Sequence, residues 1–207
     1  MGIQVEKFDT IKRHGWAALL GLSLLFVVGL NEVRAADKYI IDTKGAHAFI
    51  QFKIQHLGFS WLLGQFNTFE GSFVLDDKNP EKSSVNVTID VSSLDSNHAE
   101  RDKHLRSEEF FNVSKFPKAT FVSKRIEGLD KKSGKAQIIG DFTLKGVTRE
   151  VTLAAEYVGG GSDPWGGYRQ GFAATTEIRL KDFGIDYDLG PASQVAQVHL
   201  YVEGIRM

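Results

Sequence analysis

The constraint that reaches furthest along this chain of 207 residues is a period of two. Along Val85-Asn86-Val87-Thr88-Ile89-Asp90-Val91 apolar and polar residues alternate without a fault, so an extended segment here has one apolar and one wet face. The pattern returns at Ala48, Ile50, Phe52 and Ile54, and again at Phe69, Gly71, Phe73 and Leu75. It recurs at Ile138, Gly140, Phe142 and Leu144, then at Val147, Val151, Leu153 and Ala155. Phe172, Ala174, Ile178 and Leu180 form another run, and Val198, Leu200 and Val202 the last. Residues 119–126 read as a further strand whose two faces are less distinct. About eight one-sided strands with short connections specify an antiparallel sheet, because parallel strands are buried on both faces and read as continuous apolar runs. Closing eight strands removes the sheet edges and leaves an interior that side chains fill or that holds one small ligand. Phe52, Phe73, Phe142 and Phe172 face that interior in this reading, with Ile54, Val87, Ile89, Ile178, Val198 and Leu200 in the same phase. Periodicity alone does not decide between a packed core and a lined cavity.

Residues 1–35 stand apart from this rhythm. Lys12, Arg13 and His14 precede an apolar run over 16–30, and Val33 and Ala35 occupy the small-residue positions before a secretory cut. This predicts a signal peptide over 1–35 and one domain over 36–207. The run is about 15 residues long where a membrane span needs about 20, so no transmembrane segment is expected after cleavage. Lys+Arg is 25 against 26 Asp+Glu, and a chain without basic excess has no means of neutralising a nucleic acid backbone. Cysteine is absent, which removes disulfides, thiolate metal sites and cysteine nucleophiles together.

The rhythm breaks once, over residues 96–111, where a short helix beside one barrel opening is expected. Ser96 or Asn97 is the expected N-cap, with Glu100 completing a capping box if Asn97 is the cap. His98, Glu100, Asp102 and His104 carry metal-ligand chemistry, but their i,i+4 pairs fall on different faces among Arg101, Lys103 and Arg106. The reading is a capping and salt-bridge cluster, with no metal and no cofactor. His47 and His56 are read as strand-end histidines. The chain has no Gly-x-Ser-x-Gly elbow, and Gly159-Gly160-Gly161 lacks the Lys-Ser/Thr of a phosphate loop, so no catalytic residues are assigned.

His47-Ala-Phe-Ile-Gln-Phe-Lys-Ile-Gln-His56-Leu57-Gly58 followed by Gly64-Gln-Phe66-Asn-Thr-Phe69-Glu-Gly71 resembles the opening of the YceI-like family. Arg101-Asp102-Lys-His104-Leu105-Arg106-Ser107-Glu-Glu-Phe110-Phe111, with Phe116-Pro117 and Phe121, is similar to its central signature. Later motifs are Gly140-Asp-Phe-Thr-Leu-Lys-Gly146-Val147-Thr148, Asp163-Pro-Trp-Gly166 and Asp182-Phe-Gly-Ile185, while Glu150 stands where the family often has Pro. The resemblance implies an eight-stranded antiparallel lipocalin-like barrel, a periplasmic location, a polyisoprenoid or other long-chain lipid as ligand, and a homodimer as the state often described for members. Within that frame His56, Arg101, His104 and Arg106 are the candidates for holding a polar head at the mouth, on charge and position. Two other readings compete: a secreted metal-dependent enzyme using the His98–His104 region, and a stress-related structural module with a packed core.

Overall fold

A computed structural model describes residues 36–188 and 190–207; the signal peptide expected over 1–35 lies outside the described residues. The elements are β1 (Asp37–Ile41), β2 (Phe49–His56), β3 (Ser60–Phe66), β4 (Phe69–Leu75), β5 (Ser84–Asp90), β6 (Leu94–Asp95), α1 (Ala99–Arg106), β7 (Lys118–Asp130), β8 (Lys135–Leu144), β9 (Val147–Ser162), β10 (Tyr168–Arg179) and β11 (Val195–Arg206). The eleven strands belong to one antiparallel sheet, closed on itself where β1 pairs with β11.

The segments collapse to eight staves. β1 and β2 lie end to end along β11, through Ile41↔Gly204 and then Phe49↔Tyr201. β3 and β4 follow each other along the same long stave, and β5 continues into β6, so three of the eight staves are interrupted. Every stave then pairs with its neighbour in sequence, as the one-sided alternation requires of an up-and-down barrel.

The alternation holds wherever the ladder is regular, and the indistinct segment has a physical cause. β7 carries register shifts between Ser123 and Arg125 and between Glu127 and Asp130. Each extra residue flips the phase, so Phe121, Ile126 and Leu129 all face inward although they do not share parity. Aromatic rings need room opposite them. The ring of Phe73 lies where a Cβ on Gly204 would sit at 2.4 Å, and Gly64 gives the same room to Phe52.

The strand directions sort the connections into two ends. Residues 57–59, α1 with residues 107–117, and residues 180–194 lie at one end; residues 76–83, 131–134 and 163–167 lie at the other. At the helix end the connections themselves supply core. Phe110, Phe183 and Ile185 are buried with Val91 and Leu94, and Phe183 meets Phe142 at 5.4 Å. Burying each such side chain is worth about 1.5–3 kcal/mol.

The helix N-cap is His98, whose Nδ1 accepts from Arg101 N–H at 3.2 Å, not Ser96 or Asn97. The two expected caps are otherwise engaged. Asn97 has a φ of 62°, in the left-handed region, and Ser96 donates through its N–H and hydroxyl to the buried Asp102 at 2.9 and 2.5 Å. Glu150 takes its place on the outer wall, paired with Lys124 and Arg125.

Candidate functional site

The lumen is filled at the helix end and hollow at the other. A cavity of about 530 Å³ runs inside the barrel between staves, and its lining continues onto Asp76, Asp77, Pro80, Ser83, Lys131 and Gly134. Those residues belong to the connections opposite the helix, so the mouth lies there. The walls hold Val85, Val87, Ala136, Ala155, Ala174 and Thr176, all smaller than the residues that plug the other end. Floor and wall are lined by Phe69, Phe73, Ile89, Phe142, Phe172 and Ile178, with Val198, Leu200 and Val202 from β11. Phe73 stacks on Tyr39 at 4.9 Å and meets Phe172 edge-on at 5.5 Å, which fixes the ring positions near the mouth.

The sequence-derived lining set divides. Phe73, Val87, Ile89, Phe142, Phe172, Ile178, Val198 and Leu200 come together on this one cavity. Phe52 and Ile54 do not line it. β2 runs on past the lumen toward the helix end, where Phe52 packs on Phe66 at 5.8 Å and Phe66 on Phe111 at 6.2 Å. Period two fixes the phase of these side chains but carries no height along the barrel, and their height lies beyond the cavity.

The four head-group candidates lie at the end opposite the mouth. Arg101 spends its guanidinium on the Ser96 hydroxyl and carbonyl, and Arg106 on the carbonyls of Ser92 and Leu94. His104 is paired with Glu109, while His56 ends β2 beside the exposed hairpin turn. Arg101 and Arg106 hold the α1 segment and the residues before it together by satisfying backbone oxygens. His98 and His104 are not brought together on a metal-sized site. His98 caps the helix, and Asp102 is held by Ser96.

Among the described residues, Asp42, His47 and Glu203 do gather ligand-type atoms within 4.8 Å of one another, on the outer wall where β1 breaks from β2. The cation there is already a side chain. Arg169 Nη1 lies 2.7 Å from Asp42 Oδ2 and 2.5 Å from Glu203 Oε1, and its Nε donates to Asp163 at 2.8 Å. Hydrogen bonds from Arg169 and then His47 pull the Asp42 carboxyl down to about 2, and the Arg169 guanidinium likewise lowers Asp163. Asp163 also accepts from Trp165 and Gly167 N–H, so the Asp-Pro-Trp-Gly motif is a loop clamp. Sequence reading missed this network because its members are far apart in the chain, Asp42 and Arg169 by 127 residues.

Sequence reading also missed the mouth. Its residues sit largely on connections; on the strands, Gln170 and Thr176, in phase with Phe172, Ala174 and Ile178, were the polar signals available on that inward face. No helix among the described residues is long and apolar enough to cross a membrane.

Comparison with known proteins places this architecture. Residues 39–203 match the profile of the YceI-like domain. A UPF0312 protein of Yersinia enterocolitica is 54% identical over 191 residues, covering 91% of this chain and 96% of its own. Among solved structures, a Campylobacter jejuni YCEI protein is similar with a TM-score of 0.65 and 26% identity, covering 74% of this chain and 90% of its own. A polyisoprenoid binding domain from Saccharophagus degradans, implicated in plant cell wall breakdown, shares the fold at a TM-score of 0.59 and 14% identity, over 82% of this chain and 98% of its own.

Proposed function

The chain belongs to the YceI-like family, and from that premise we propose that it is a periplasmic binding protein that carries a long-chain apolar lipid, of the polyisoprenoid or fatty-acid type, in the barrel lumen. The observation that carries this reading is the apolar cavity of about 530 Å³ whose lining reaches the connections opposite the helix. Its size falls in the range of ligand sites, and its walls offer aliphatic and aromatic surface with few polar groups. Flat rings such as Phe73 and Phe172 provide area for a chain at little conformational cost, because a ring has two rotatable bonds to fix. The polyisoprenoid binding of the Saccharophagus domain agrees with such a ligand, and the predicted signal peptide agrees with export. Binding, not catalysis, is the function that the lumen supports.

Protein purified from its native source, extracted with organic solvent and analysed by mass spectrometry, is expected to yield a long-chain lipid at near one per barrel. Repeated recovery of protein with no lipid, together with no uptake of added prenyl or acyl chains, would falsify the proposal.

A further inference from the structure

The hairpin that joins β2 to β3 carries large apolar side chains into solvent. Leu57 is 53% exposed, Phe59 85%, Trp61 46% and Leu63 66%. Trp61 and Leu63 pair with Gln55 and Lys53, so they stand on the outer face of the wall, opposite in phase to Phe52 and Ile54. A one-sided strand is expected to carry polar groups there, as Gln51, Lys53 and Gln55 do on β2. Phe49 and Tyr201, partners across β2 and β11, extend the same face with partly exposed rings.

The turn supplies a second observation. Leu57 and Gly58 are its central residues, closed by the Phe59 N–H on the His56 carbonyl at 2.9 Å, with φ values of 53° and 80°. Two positive φ values in a tight hairpin turn favour Asn-Gly, and a leucine in the left-handed region is strained. The position is nonetheless held firmly. Leu57 N–H donates to Ser193 Oγ at 3.3 Å, and that hydroxyl donates to the Gln55 carbonyl at 2.6 Å. Leucine here neither eases the turn nor fills the core, so its apolar surface serves something outside the fold.

Charge narrows what that is. Residues 43–69 contain no Asp or Glu, whereas Lys53 and His56 stand on the hairpin itself. Lys53 Nζ lies 4.7 Å from the centre of the Trp61 ring, so cation and indole are presented together. Acids adjoining the hairpin are Asp95, whose backbone pairs with Gln65 at the far end of β3, and Asp188, whose carboxylate accepts from Gly190 N–H. An apolar tip with an indole and a cation behind it matches the order of layers in an anionic bilayer, hydrocarbon under headgroups. The exposed apolar residues of the other end lack that setting, since Val158 and Trp165 stand among Glu156, Asp163, Asp76, Asp77 and Asp130.

We propose that the β2–β3 hairpin docks the barrel on an anionic lipid surface. Leu57 and Phe59 enter the boundary between headgroups and acyl chains, and Lys53 meets the lipid phosphates. The hairpin lies at the end opposite the mouth, so docking leaves the mouth clear and does not rest on what the lumen holds.

The test uses the mature protein with vesicles of phosphatidylglycerol and phosphatidylethanolamine, against vesicles of phosphatidylcholine. Wild type is expected to sediment with the anionic vesicles. In a Trp165→Phe background Trp61 is the single tryptophan of the mature chain, and its emission is expected to shift to the blue on binding. Phe59→Ser and Leu57→Asn are each expected to weaken partition about tenfold. Leu57→Asn suits the turn, so its Tm is expected to equal or exceed that of wild type, which separates lost docking from lost folding. Lys53→Gln is expected to weaken binding to the anionic vesicles about fivefold. Uptake of N-phenyl-1-naphthylamine into the lumen is expected to be unchanged in all three variants; its loss would make the hairpin a support of the barrel and overturn the proposal. Wild type left in the supernatant with anionic vesicles, or Phe59→Ser bound as tightly as wild type, also overturns it. So does a dimer that Phe59→Ser splits while no vesicle is bound, since the face then belongs to a second copy.

Discussion

The two ends of this barrel are built from the same staves and differ in what the connections put between them. At the helix end Phe110, Phe183 and Ile185 arrive from segments outside the strands and drop into the lumen, so the inward faces of β5, β8 and β9 are met by side chains. At the mouth the connections stay at the rim, and inward residues such as Val87, Ala155 and Ala174 are left facing space. The packed end is held from within. The mouth end is also held on its outer wall, where Arg169 draws Asp42, Asp163 and Glu203 onto one guanidinium. An eight-stranded barrel therefore need not be either core or container along its whole length, because the choice is made locally by the loops.

The contrast is broken most directly at the plug. Phe183→Ala removes a ring that is 2% exposed and is expected to cost about 3–5 kcal/mol in urea unfolding while leaving probe affinity within about twofold. A cost below about 1 kcal/mol would show that the helix end is no tighter than the mouth. The outer clamp comes next. The Asp42 carboxyl is lowered to about 2 in the folded chain from 3.8, so its contribution is fully present above pH ~4 and is lost as pH falls through about 2. A stability loss of order 2 kcal/mol from this group is expected across that interval in wild type, and Asp42→Asn should remove that part of the acid-side loss while leaving the part due to the other lowered carboxyls, Asp163 among them. Hydrogen exchange should show β1, β10 and β11 opening at acid pH before the plugged end does. The smallest effect sharpens the comparison inside the mouth. Val87→Phe places a ring in hollow lumen, and is expected to change stability by less than about 1 kcal/mol while weakening ligand binding by tenfold or more. Thr88→Phe, on the opposite face of β5, should leave binding near normal; equal losses in both variants would end the lumen assignment.

How much of this was legible depends on which property period two encodes. It fixes the side of the sheet, so Val87, Ile89, Phe172, Val198 and Leu200 were placed inward without any structure. Height along the barrel is set by stave register, which is why Phe52 and Ile54 were assigned to a cavity that ends short of them. Charge misled the search for a head-group site. Arg101 and Arg106 stand out in a sequence, yet their guanidinium groups are consumed by the carbonyls of Ser96, Ser92 and Leu94. Gln170 and Thr176 were the opposite case, neutral residues in an apolar series, conspicuous by phase and not by charge. The clamp around Arg169 was out of reach, since nothing local ties residue 42 to residue 169.

Every stave but one pairs with the neighbour that precedes it in the chain, and the ring is completed only when β11 meets β1, Arg206 opposite Tyr39. A chain emerging from its N-terminus thus has seven staves of curved sheet and no interior. The last pairing converts sheet into vessel in a single step, joining residues from the two extremes of the domain, the kind of contact that forms slowly because so much chain must be brought round. Until then Phe73 and Phe172 flank a gap, with β11 not yet between them. Filling of the lumen by the proposed ligand accordingly follows closure, and a chain lacking β11 is left not as a weakened barrel but as an open strip with two unpaired edges.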